Sequence, residues 1–194
     1  SGYPYDVWLN FLQTSVANPC SSGKSLIDAT IAAYPTGTNI TQSMIDLTKM
    51  NTVAANLNTF GAKLFANVNN GANWIRQARQ ASQYFEFLEY KDLYHFANNV
   101  RTISGVPSDV VRSAADLETS LLGTDGAILV QAHSTRADGT GFSESFANGL
   151  SIFLPGPLTQ SSVNNTVGYD PQWGNLGLAK AAPNWANFLI NEQQ

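Results

Sequence analysis

Apolar residues at Met50, Val53, Leu57, Phe60, Leu64 and Val68 recur at steps of three and four, the spacing that lines one face of an α-helix. Asn69-Asn70-Gly71 predicts the end of that helix, because these residues favour turns. Residues 73–88 and 91–103 predict two more. Ser108 predicts the cap of another helix starting at Asp109, with Val110, Val111, Ala114, Leu117 and Leu121 on its inner side. Nearer the start, 3–16 predicts a turn into a short helix with Trp8, Leu9, Phe11 and Leu12 apolar. Residues 23–34 predict a second, with Leu26, Ile27, Ala29, Thr30 and Ile31 crowding one side and Pro35-Thr36-Gly37 stopping it. A last helix over 183–192 turns Trp185, Phe188 and Leu189 inward.

Strands are fewer. Residues 41–47 are β-like, with Met44, Ile45 and Leu47 apolar. The run 127–133 after Asp125-Gly126 has the look of a buried strand, and 149–155 predicts another, stopped by Pro155-Gly156-Pro157. Many helices with a few strands give an α/β class. Three strands with long connections make a poor sheet, because open edges need covering. Either further strands are hidden in the pattern, or another chain supplies them. No internal repeat or low-complexity linker divides residues 1–194, so one structural unit is expected.

Composition narrows the function classes. Of 194 residues, 43% are hydrophobic, enough for a core, and only 12% are charged, about half the usual share. Asn, Gln, Ser and Thr carry the polarity, which points to an extracellular, cell-surface or periplasmic setting. Net charge is −4 and no Lys/Arg cluster occurs, which argues against nucleic acid as a partner. The longest apolar runs, such as 127–130 and 152–154, are too short to span a bilayer. One cysteine, Cys20, excludes an internal disulfide framework and a cysteine-based zinc site. The start at Ser1 reads as a processed or trimmed end.

Gly2-Tyr3-Pro4-Tyr5-Asp6-Val7-Trp8, Ser43-Met44-Ile45-Asp46-Leu47-Thr48-Lys49-Met50 and Gly149-Leu150-Ser151-Ile152-Phe153-Leu154-Pro155 form an ordered set. The first resembles the Gly-aromatic-Pro-Tyr-Asp segment of the clostripain family of cysteine peptidases, in the clan of caspases, gingipains and legumains. The second is similar to that family's Ser-x-Ile-Asp-Leu-Ser-Lys strand-to-helix junction. The third is similar to its Gly-Leu-Ser-Ile-Tyr-Phe-Pro strand. Fainter echoes lie at 90–97 and 185–189, so the resemblance runs along nearly the whole chain. It implies a caspase–hemoglobinase-like α/β fold, with a mostly parallel central sheet flanked by helices, of which 1–194 is the C-terminal portion. It implies a secreted cysteine endopeptidase, cleaving after Arg or Lys. The catalytic His and Cys would precede Ser1, on an N-terminal portion of the same precursor that pairs with this chain as a heterodimer. A non-catalytic caspase-like scaffold, or a cell-surface protein that binds peptides or proteins, is the rival expectation.

In such an enzyme a thiolate attacks the scissile carbonyl while a histidine manages the proton. Cys20 lies in a turn, Asn18-Pro19-Cys20-Ser21, rather than at the end of a buried strand, so it reads as a loop cysteine. His95 falls within a helical pattern and reads as a packed or surface histidine. His133 ends a strand, where α/β folds place active groups, yet it follows every position the resemblance makes catalytic. Asp46 and Asp92 read as acids meeting backbone N–H groups at helix starts. The resemblance makes Ser1, Gly2, Tyr3, Tyr5 and Asp6 the edge of the substrate pocket, with a protein or peptide as substrate. Ser1 stands where some relatives carry the acid that would meet a basic side chain. No cofactor follows from the residues, and two histidines without clustered carboxylates make a zinc site a poor expectation. Calcium enters through the resemblance alone, and no EF-hand type of loop is present.

Overall fold

The computed structural model describes residues 5–6, 9–10, 13, 23–34, 40–85, 88–134, 146–155 and 177–192. The stripe that begins at Met50 builds helix α2, Met50–Ala66, which buries Val53, Ala54, Leu57, Phe60, Gly61 and Leu64. Its end differs from the expectation at Asn69-Asn70-Gly71. The break falls at Asn67, whose side chain donates to the Lys63 carbonyl at 2.9 Å and takes up a terminal acceptor of the helix. The next helix, α3, Val68–Ala81, runs straight through the Asn-Asn-Gly triplet. It sets Val68, Trp74, Ile75 and Ala78 into the core.

Around α2 pack α5, Ser108–Leu122, and the terminal α7, Pro183–Asn191, which follows a short α6, Gly177–Ala181. α4, Leu93–Thr102, packs between α3 and α5. Ser108 is the first residue of α5 rather than its cap. Pro107 holds the cap position in extended backbone, and no side chain closes the end. Trp185, Phe188 and Leu189 are buried as the pattern requires. Phe60, Phe96, Trp185 and Phe188 form a chain of tilted and edge-on rings with centroids 5.4 to 6.1 Å apart.

The strands make two small antiparallel pairs. β1, Ile40–Ile45, pairs with β3, Ile128–Ser134, and the register slips between Met44 and Ile45. That irregularity lies opposite Ile128–Val130, and Leu129 is left 55% exposed. The run 127–133 is therefore not buried throughout, as its apolar composition predicts. α1, Gly23–Ala32, packs on this pair with Leu26, Ile27 and Thr30 buried. β2, Tyr90–Asp92, pairs with β4, Ser151–Phe153, and Tyr84 bridges to Lys91 on the same sheet. The pattern hides Lys91 and Asp92 of β2 inside the helix expected over 91–103, because three residues are too few to show a period. The α/β class stands. Among the described residues both sheets are antiparallel, and the expected parallel sheet is not among them.

Candidate functional site

The most developed polar arrangement lies where the two sheets meet. β1 ends at Ile45, and Asp46 accepts the Thr48 N–H at 3.0 Å, starting the single turn Leu47–Lys49 that leads into α2. The Thr48 bonds hold the Asp46 carboxyl below the ordinary range, so this acid has a structural task. Across the seam, Gly149 takes a φ of +106°, a conformation glycine adopts freely. A Cβ there would stand 3.0 Å from the Ser43 Cβ. The close approach lets Ser43 Oγ donate to the Gly149 carbonyl at 2.6 Å.

Beside this contact lies a cavity of about 220 Å³. β1 contributes Thr41, Gln42 and Ser43, and the segment around β4 contributes Ala147, Gly149 and Ser151. Phe85 and Ala132 complete the lining, which carries hydroxyls and an amide but no charged side chain.

Asp92, opposite the lining residue Ser151 in the β2–β4 pair, has no exposed surface. It closes the start of α4 by accepting the His95 N–H at 2.8 Å. The same carboxylate accepts the Asn148 N–H at 2.6 Å and its Nδ2–H at 3.1 Å, so one acid binds a helix end and a turn together. Burial raises the Asp92 pKa, against these hydrogen bonds, which lower it. His95 is half-buried. Its Nδ1 accepts the Gln83 N–H at 3.0 Å, and its ring stacks on Phe146 with centroids 4.4 Å apart. Burial lowers its basicity.

Of the residues expected at a pocket edge, Tyr5 and Asp6 are helical and exposed, and neither lines the cavity. Ser1, Gly2 and Tyr3 lie outside the described residues, as does Cys20. His133 stands opposite Thr41 on β3, its Nδ1 buried without a hydrogen-bond partner. It is not brought together with His95. Among the described residues no group of three or more His, Cys, Asp or Glu side chains could hold a metal ion, and no helix is long and apolar enough to cross a membrane.

Sequence reasoning missed Asn148 and Gln83, which offer only a backbone N–H or an amide and leave no pattern. It missed Arg79 as well. That guanidinium is 4% exposed and pairs with Glu192, and burial pulls its pKa down to about 10. The chain matches no protein-family model, no curated protein and no solved structure.

Proposed function

We propose that the chain is the C-terminal portion of a secreted clostripain-like cysteine endopeptidase, whose nucleophilic Cys and its His lie on a preceding portion of the same precursor. One observation carries the reading. The Ser43 and Gly149 segments, which hold two of the three resembling motifs, lie 106 residues apart and are joined by the Ser43 Oγ to Gly149 carbonyl hydrogen bond. A shared place for the two segments is what the reading expects, since both would belong to one peptidase core. Supporting it, the Ser-Met-Ile-Asp-Leu stretch forms a strand that turns into a helix on an Asp cap, as a strand-to-helix junction should. In this reading the β1–β3 pair extends a larger, mostly parallel caspase-like sheet, and the segment containing Tyr5 and Asp6 borders the peptide groove.

A thiol-reactive probe built on Lys or Arg tests the proposal on the intact protein with its associated polypeptides. Label on an associated polypeptide supports it. Label on Cys20 alone moves the nucleophile onto this chain and overturns the division of labour. The second reading, a non-catalytic peptide-binding scaffold, is favoured by the neutral lining of the seam cavity. It gains if no polypeptide is labelled under conditions that label clostripain.

A further inference from the structure

Side chains with hydrogen bonds to offer meet at the seam cavity. Thr41, Gln42 and Ser151 all line it, and among the described residues their side chains make no hydrogen bond. Ser43 Oγ gives its proton to the Gly149 carbonyl and keeps its lone pairs for an incoming donor. Phe85 adds an aromatic ring, and no acid or base stands in the lining. Asp92, opposite Ser151, has its carboxylate committed to the His95 and Asn148 N–H groups.

We propose that the seam cavity is a pocket for one uncharged peptide side chain of the size of glutamine. Its volume of about 220 Å³ lies below the roughly 300 Å³ at which pockets for drug-sized ligands begin, so it holds one side chain rather than a run of chain. A carboxamide presents an acceptor oxygen and an N–H2 donor. Hydroxyls take either role, and the Gln42 amide matches a second carboxamide with its own N–H and C=O. A lysine or glutamate side chain entering a lining of neutral groups loses water and gains no counter-charge. β4, which brings Ser151, pairs along one edge only, with β2, among the described residues. The other edge leaves its main-chain groups for an extended segment, whose alternate side chains can enter pockets beside it.

That the side chain comes from a peptide rests on the reading proposed above; that it is uncharged rests on the lining alone. The pocket for a basic residue at the cleaved bond is a different one, because a guanidinium or ammonium needs an acid beside it and none lines this cavity. The seam cavity therefore selects a neighbouring residue of the same substrate. Ser43 has a structural duty in its bond to Gly149. Thr41 and Gln42 are half-buried on β1 and carry no such bond, so they are the residues to change.

Amide NMR spectra of the intact protein, titrated with N-acetyl-glutamine amide to about 20 mM, test the pocket. The amides of Thr41, Ser43, Phe85, Gly149 and Ser151 should shift together and saturate, with a dissociation constant on the order of 1 mM. The lysine and glutamate analogues should leave them in place at the same concentration. Thr41→Val keeps the shape and removes the hydroxyl, and should weaken binding roughly threefold to tenfold. Gln42→Glu places a carboxylate in the lining and should admit the lysine analogue. Shifts that never saturate, shifts that all three analogues cause alike, or binding unchanged in both variants would overturn the proposal. So would saturation by methyl glucoside and not by the glutamine analogue, which makes the cavity a sugar site. If the variants do not fold, the comparison of ligands on the wild type decides alone. Glutamine binding without label from the thiol probe keeps the pocket and removes the peptidase, whereas label without glutamine binding removes the pocket alone.

Discussion

A guanidinium taken out of water costs stability for every donor that other groups leave unused. Arg79 meets Glu192 through Nη2, both side chains being about 5% exposed, while Nε and Nη1 find no acceptor. Removing one partner strands the other as a lone buried charge. Arg79→Ala is therefore expected to lower stability by about 3–5 kcal/mol, read from urea unfolding. The double change Arg79→Met with Glu192→Met should recover most of that loss, because two apolar side chains need no solvation. A second residue-scale prediction concerns pH. His95 has a lowered basicity in the fold, so the unfolded chain binds more protons. Its contribution is complete above the ordinary histidine value and is lost as pH falls through the lowered one. Asp92 is raised and acts with the opposite sign: its contribution is complete below the ordinary carboxylate value and is lost as pH rises through the raised one. Comparing wild type with His95→Asn isolates the histidine. The stability difference between them should shrink on acidification, measured by urea unfolding across a pH series.

At the scale of elements, the crossing of α2 and α7 turns on one missing side chain. A Cβ on Gly61 would lie 2.7 Å from the Trp185 N and 2.8 Å from the Asn184 carbonyl carbon, and backbone cannot step aside as a side chain can. Gly61→Ala gains helix propensity yet forces the helices apart. A net loss of about 1–3 kcal/mol is expected, with the Trp185 emission shifted to the red as water reaches the indole. A threefold-fourfold stripe made α2 plain in the sequence, and the inward Trp185, Phe188 and Leu189 made α7 plain, since each reflects burial of one face. Nothing at that level marks Asn67 as the break, because its effect comes from a bond back to Lys63 rather than from a turn composition. β2 was equally hidden, because Asp92 starts the following helix by its side chain and its strand lasts only Tyr90–Asp92. Asp46 and Asp92 were legible as acids at helix starts. The second bond of Asp92, to Asn148, was not, because it joins residues 56 apart.

For the molecule as a whole, the question is what covers the β1–β3 pair. The helices α2 to α5 and α7 share one continuous apolar cluster. The β1–β3 pair carries α1 and the Gly149 turn against it, and it joins the helical cluster at one end, where Ile128 is buried and β3 meets α5. Two strands are marginal by themselves. If this pair extends a sheet begun elsewhere, its outward amides should exchange quickly in the chain alone and become protected when the preceding portion of the precursor is bound. Leu129 gives the sharper test. It is 55% exposed and lies where the strand register slips, so nothing in the packing of the described residues asks for a leucine there. Leu129→Lys is expected to change the chain's own stability by no more than about 0.5 kcal/mol in urea unfolding. If the proposed preceding portion of the precursor docks here, its association, followed by light scattering on a sizing column, should weaken by roughly tenfold, because a lysine carried into an apolar interface must be desolvated. A variant that loses stability would place Leu129 in the chain's own core. One that binds its partner undiminished would remove this strand pair from the interface.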